Sequence, residues 1–338
     1  MRTETPASAT AEEERGAEQA RRPAPPATPS TAPPPGTARR RARRETLAGY
    51  LFLSPWCVGI LLLTLGPMLV SLYLAFTDYN LFDSPRWVGL ENFSEMFSDD
   101  RWWQSVRVTA VFVLVATPLK LAVALGVAML LARPRKGQGF YRSAFYAPSL
   151  IGASVSVGIV WRALFQDEAI VDRSLSLFGW SGGGWIGDPD WSMPTLVALS
   201  VWQFGAPMVI FLAGLKQVPR ELYEAAEVDG AGAWRRFRSI TLPMISPVIF
   251  FNLLLEIIHS FQIFTSALVI AGPGGGRAGG PGDSLLVYTW YLYEQGFANL
   301  RMGYASAMAW MLLAGIAVVT AVLFWSQRRW VHYEEGGR

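Results

Sequence analysis

Glu224-Ala225-Ala226-Glu227-Val228-Asp229-Gly230, followed after nine residues by Ile240-Thr241-Leu242-Pro243, is a charged stretch between two apolar runs of membrane length, 194–215 and 242–271. Pro219 suits the first turn of a helix, where its missing N–H is not needed, and Gly230 suits the left-handed residue that closes one. Between them Leu222, Tyr223 and Ala226 fall on one face at helical spacing, while Glu221, Glu224 and Glu227 recur every three residues on another. Beyond the Gly break, Trp234 and Phe237 are flanked by Arg235, Arg236 and Arg238, so a second, basic and aromatic helix is expected up to Pro243. An acidic, part-apolar helix held at a membrane surface by a basic anchor fits a groove on a soluble partner.

The surroundings of this hairpin decide the fold class. The chain has 338 residues, 51% of them hydrophobic with 14 Trp, and only 16% are charged. A soluble domain carries about a quarter charged residues. The apolar residues gather into runs at 50–76, 106–132, 143–165, 194–215, 242–271 and 304–325. Each is long enough to cross about 30 Å of hydrocarbon as a helix. Pro67, Pro118, Gly126 and Pro207 lie inside such runs, where bilayer helices tolerate them. The expected fold is all-α: a polytopic membrane protein with six transmembrane helices and a cytoplasmic hairpin.

Loop charges orient it. Arg39, Arg40, Arg41, Arg43 and Arg44 precede the first run and favour the cytoplasmic side. Asp78, Asp83, Glu91, Glu95, Asp99 and Asp100 follow it, outside; Arg133, Arg135, Lys136 and Arg142 mark the next loop as inside. Asp167, Glu168, Asp172, Asp188 and Asp190 are outside again, and the hairpin and Arg328–Arg329 are inside. Both termini are therefore expected in the cytoplasm. Residues 1–45 read as a disordered Pro/Ala/Arg-rich cytoplasmic tail, 46–330 as the membrane domain and 331–338 as a cytoplasmic C-terminal tail. No apolar run lies close enough to Met1 for a cleaved signal peptide.

The pattern E-A-A, three residues, G, nine residues, I-x-L-P in residues 224–243 resembles the signature loop of the membrane subunits of ABC importers. Asp229-Gly230-Ala231 and Trp234 to Phe237 resemble the sugar-permease branch, of maltose and glycerol-phosphate type. Leu53-Ser54-Pro55, the segment from Trp87 to Phe93, Phe145-Tyr146-Ala147-Pro148 and the stretch from Met302 to Ala307 resemble the first of the two paired permeases of that branch. The resemblance implies a permease subunit that moves a sugar or polyol without catalytic activity of its own. It implies that Glu221, Glu224, Ala225, Ala226, Asp229, Gly230, Ile240, Leu242 and Pro243 couple it to a separate cytoplasmic ABC ATPase. It also implies a second homologous permease subunit and an extracellular lipid-anchored or periplasmic substrate-binding protein, with membrane lipid around them and no nucleic acid.

The residues themselves offer no other chemistry. The glycine-rich segment 272–282 lacks the Gly-Lys-Ser/Thr ending that holds a nucleotide, so ATP belongs to the partner and no cofactor is expected here. His259 and His332 are far apart and Cys57 is the single cysteine, which leaves no metal cluster. Two other classes compete. A secondary transporter would need an ion or proton relay, for which the spans hold only Lys120, Glu256 and His259. A membrane scaffold or sensor subunit would explain the hairpin but not the polar residues of the fifth run. Those are Asn252, Glu256 and His259, on one face at offsets of four and three, with Gln262 three further on. The stripe fits a water-filled cavity, a subunit interface or a packed hydrogen-bond network between helices. Resemblance to sugar permeases favours the cavity, as a substrate pathway. By position, Gln203 after Trp202 in the fourth run is a weaker candidate of the same kind, and Lys120, mid-span in the second run, is a candidate partner for Glu256.

The loop charges make the orientation testable in a Cys57→Ser background. Cysteines placed at Ser98 or Gly183 are expected to react with a membrane-impermeant maleimide added outside intact cells, and one at Gly137 to stay unlabelled. Labelling at Gly137 would reverse the orientation.

Overall fold

The computed structural model describes residues 35–133, 136–152, 154–166, 169–177, 179, 184–272 and 279–331. Contacts divide the chain into a unit ending at Gly66 and a larger one starting at Pro67. In the first, α1 (Pro35–Gly59) continues through a π-helical turn, Ile60–Leu65. Leu51, Phe52, Leu62 and Leu63 are all exposed, the surface of a helix immersed in hydrocarbon. Residues 1–34 of the expected tail lie outside the described residues, as do 332–338 at the other end. From Pro35 the chain is helical, ahead of the boundary drawn at 45/46, because proline is accepted in a first turn and Ala and Arg are good helix formers.

The larger unit begins within α2 (Gly66–Leu74). A small hairpin of β1 (Thr77–Asp78) and β2 (Arg86–Trp87) follows, antiparallel with Thr77 opposite Trp87. After α3 (Glu91–Ser98) comes the longest helix, α4 (Asp100–Ala132), capped by the Asp99 side chain, which accepts from the Arg101 N–H. Next are α5 (Gln138–Ile151), α6 (Val155–Phe165), α7 (Ile170–Ser176), α8 (Pro189–Trp202) and α9 (Gly205–Leu215). The hairpin consists of α10 (Arg220–Val228), α11 (Ala233–Arg236), a π turn at Phe237–Thr241 and α12 (Leu242–Met244). It leads to α13 (Ser246–Phe261), α14 (Thr265–Ala271), α15 (Tyr288–Tyr293), a further π turn at Glu294–Ala298 and α16 (Met302–Gln327).

Three helical stretches are long and apolar enough to cross a membrane: Ala48–Leu74, Asp100–Ala132 and Met302–Gln327. Three bent pairs bring the number to six if each pair is one span: Gln138–Ile151 with Val155–Ser176, Pro189–Trp202 with Gly205–Leu215, and Ala233–Met244 with Ser246–Phe261. The expected run 242–271 is therefore not one helix. It bends by 68° at Ile245, where Pro247 starts a new first turn, and stops again at Gln262–Phe264.

The core packs around α4. Near its start Trp102 and Phe112 join Leu196, Tyr288, Tyr304 and Met308; farther along, Leu121, Ala124 and Ala128 meet Met208, Phe211 and Leu212 of α9. Ala124 and Ala128, four apart, leave room for α9 to come close. Trp102 Nε1 donates to the Tyr288 hydroxyl at 3.1 Å, and that hydroxyl donates to the Met308 carbonyl at 2.8 Å, tying α4, α15 and α16 together.

Gly303 opens α16 against the β-hairpin: its N–H donates to Tyr79 O at 3.1 Å, and a Cβ there would lie 2.0 Å from the Thr77 carbonyl oxygen. Because the obstructing atom is backbone, Gly303→Ala is expected to destabilise the protein by about 1–3 kcal/mol. Thermal unfolding in detergent checks this, and an unchanged midpoint would mean that the hairpin does not seat on α16 this closely.

Candidate functional site

Two features outlined by the sequence take definite form. The first is the hairpin. Pro219 caps α10, and Gly230, at φ +72°, ends it. Ala231 N–H donates to Ala226 O at 2.8 Å and Gly230 N–H to Glu227 O at 3.0 Å, the paired bonds of a left-handed glycine cap. The limbs are cross-braced: the Tyr223 and Thr241 hydroxyls lie 2.9 Å apart, and Arg236 meets Glu227 at 3.4 Å. Tyr223 and Ala226 are half-buried within the hairpin. Glu221, Leu222, Glu224, Ala225, Val228 and Asp229 face outward, and Trp234 is exposed on the second limb. Ile240, Leu242 and Pro243 are half-buried at its foot.

The second feature is an open polar cavity of about 400 Å³ where α4, α8, α13 and α14 meet. Its walls exist because helices break there. Pro207 has no N–H to give the Gln203 carbonyl, so the chain bends by 45° between α8 and α9, and Ser149 Oγ donates to that carbonyl at 2.9 Å instead. Gln203 Nε2 in turn donates to the Gly152 carbonyl at 3.2 Å, beside the break between α5 and α6. At the end of α13 the Ile263 carbonyl accepts from the Thr289 hydroxyl. Irregular backbone in an apolar bundle persists where side chains or water satisfy it, which is why broken helices and cavities coincide.

Across this cavity Lys120 Nζ of α4 lies 2.8 Å from Glu256 Oε1 of α13, with side chains 12% and 8% exposed. One turn away the Thr117 and Ser260 hydroxyls are 3.1 Å apart, so two polar rungs join the helices. Of the five residues expected along a pathway, Gln203, Glu256, His259 and Gln262 line this cavity together. Asn252 does not. It is buried one turn before Glu256, and its Nδ2 donates to the Val248 carbonyl at 3.2 Å. Ser200, Thr265 and Ser266 also line the cavity and were not singled out from the sequence. Their signal was spacing: Ser200 stands three before Gln203, and Thr265 and Ser266 stand three and four after Gln262.

At the start of α4 a charged cluster holds the other end of the bundle. Arg101 pairs with Glu294 at 2.9 Å and with Asp283 at 3.3 Å, while Asp99 accepts from the hydroxyls of Tyr291 and Tyr304. Burial first, and then the bond to Asp99, push the Tyr291 phenol above its ordinary value, so it stays a donor. Among the described residues no group of acidic, His or Cys side chains could hold a metal ion.

Residues 101–332 match the family described as the inner membrane component of binding-protein-dependent transport systems. The probable ABC transporter permease YesP of Bacillus subtilis is 46% identical, over 87% of this chain and 95% of its own. The probable permease AmyD for starch degradation products of Thermoanaerobacterium thermosulfurigenes is 31% identical, over 83% and 94%. The sn-glycerol-3-phosphate permease UgpA of Agrobacterium fabrum is 31% identical, over 84% and 96%. A chain of a bacterial alginate ABC transporter, crystallised with a periplasmic protein bound to an alginate pentasaccharide, superposes with a TM-score of 0.71. At 21% identity, over 86% of this chain and 96% of that one, the superposition speaks for the fold alone.

The ion pair separates two roles for Glu256. Glu256→Gln removes the charge at constant shape and strands the Lys120 ammonium, so a loss of about 3–5 kcal/mol is expected. Lys120→Met combined with Glu256→Gln is expected to recover most of it, read as thermal midpoint and membrane yield. Full stability of Glu256→Gln alone would mean that the pair does not hold α4 to α13.

Proposed function

The chain belongs to the inner membrane components of binding-protein-dependent transport systems, and on that premise we propose that it is the membrane-spanning permease subunit of an ABC importer for a sugar or related polyol. Members of this family are transport components, not enzymes. The observation that carries the reading is a stiff, outward-facing hairpin whose second limb leads directly into the helix that supplies Glu256 to the polar cavity.

Counting each bent pair once gives up to six spans, the fifth entered through the hairpin's second limb, and an even number puts both termini on one side; the arginines before the first span and around the hairpin favour the cytoplasm for that side. The exposed Glu221, Glu224, Ala225 and Asp229, with Val228 and Trp234, form the surface on which a separate ATPase docks; that partner binds the ATP. A second homologous permease completes the pore, and an extracellular or periplasmic binding protein delivers the ligand. Gln203, Glu256, His259 and Gln262 line the pathway, and Asn252 supports the helix behind them. Curated relatives are named for starch degradation products, for lactose and for sn-glycerol-3-phosphate, which favours a polyhydroxylated ligand. A cavity presenting hydroxyl, amide, carboxylate and ammonium groups suits such a ligand, because each sugar hydroxyl both donates and accepts.

Gly230→Val tests the coupling. A Cβ at Gly230 meets nothing within 4 Å, so the substitution acts only through the positive φ, which a β-branched residue resists by about 1 kcal/mol or more. The variant is expected to insert normally and to lose transport-coupled ATPase activity in the assembled transporter. Ordinary stimulation of ATP hydrolysis in that variant would take the hairpin out of the coupling path.

A further inference from the structure

The polar cavity contains a cationic side chain, Lys120, whose effect on ligand selection the reading above does not address. Its titratable lining groups are Lys120, Glu256 and His259. Lys120 enters from α4, whereas the other two share α13, and its Nζ sits 2.8 Å from Glu256 Oε1 with both side chains nearly buried. A lone carboxylate in this wall would disfavour anionic ligands in the cavity, because a charge on a nearly buried side chain is screened less than one at the surface. Paired, the two groups carry no net charge, so the wall no longer repels an anion as a lone carboxylate does, and they still present ammonium N–H donors and the second carboxylate oxygen.

We propose that Lys120 is a specificity-determining residue of the pathway, cancelling Glu256 so that the wall is electrically balanced and passes polyhydroxylated ligands both uncharged and carboxylated. The proposal rests on the sugar-permease reading and deepens it: the charge tolerance of the transporter is set by a residue outside the polar stripe of α13. Removing Lys120 exposes a negative wall and excludes carboxylated sugars first. Removing Glu256 exposes a positive wall and favours them. Removing both restores balance.

Two measurements on the assembled transporter in a Cys57→Ser background test it. The first places a cysteine at Ser266, a cavity-lining position of nearly the same size, and compares its reaction rates with a cationic and an anionic methanethiosulfonate reagent. Relative to the parent, Lys120→Met is expected to raise the cationic-to-anionic rate ratio about tenfold, and Glu256→Gln to lower it about tenfold. The double variant is expected to return to the parent ratio. It also guards against single variants that fail to assemble, because a double variant whose ratio departs from the parent's overturns the balance by itself. The second measurement supplies a mixture of neutral starch and arabinan oligosaccharides with oligogalacturonates and reads the imported sugars by mass spectrometry. The acidic-to-neutral import ratio is expected to fall in Lys120→Met, rise in Glu256→Gln and recover in the double variant. Unchanged ratios in both measurements overturn the role of Lys120. The expected reagent ratios with no sugar imported by any variant would overturn the sugar reading and leave the balanced wall standing.

Discussion

One ion pair between two helices in an apolar bundle sets the terms for the rest of this molecule. Lys120 and Glu256 are each costly to bury alone, and only their 2.8 Å separation makes either tolerable. That requirement fixes α4 and α13 in register, since a shift of one residue along either helix would part the charges. The Thr117–Ser260 rung repeats the same registration one turn away. Together they explain why α13 turns polar residues toward α4 while its Phe250 packs against Phe324 and Trp330.

The cavity beside this pair is the product of broken helices. Each break frees backbone groups that hydrocarbon cannot satisfy, and the protein meets each with a side chain from another element: Ser149 for Gln203, Gln203 for Gly152, Thr289 for Ile263. Polar side chains are thereby drawn to the places where the helices open, and at two of them Gln203 and Ile263 also line the cavity. The site follows from how this fold satisfies its own backbone.

The hairpin was legible in the sequence because its determinants are local. Pro219, Gly230 and the spacing of Glu221, Glu224 and Glu227 specify a capped helix without reference to anything distant, and the structure has its boundaries within a residue of those positions. The apolar runs were legible from composition. Their breaks were not. Pro207 reads as a tolerated bilayer proline until Ser149, 54 positions before Gln203, is seen to replace the donor that the Gln203 carbonyl lacks. The run 242–271 has membrane length but not continuity, and nothing in its hydrophobicity marks the stop at Gln262. Helical spacing placed Asn252 with Glu256 and His259, yet the cavity stops short of Asn252, which is buried among packed helices. Lys120 was visible as a mid-span cation, but only the packing of α4 on α13 chooses Glu256 for it.

The foot of the hairpin has a mechanical consequence. Tyr223 bonds to Thr241, the last residue of a π turn that carries one residue more per turn than the α-helix it feeds. Slipping that surplus residue along the chain would rotate α12 about its axis by about 100°, the angle per residue of an α-helix. Since the second limb and α13 meet at 68° rather than in line, such a rotation would not leave α13 spinning in place. A bend of this kind would act as a crank, turning any such rotation of the hairpin's second limb into sideways displacement of the segment that carries Glu256.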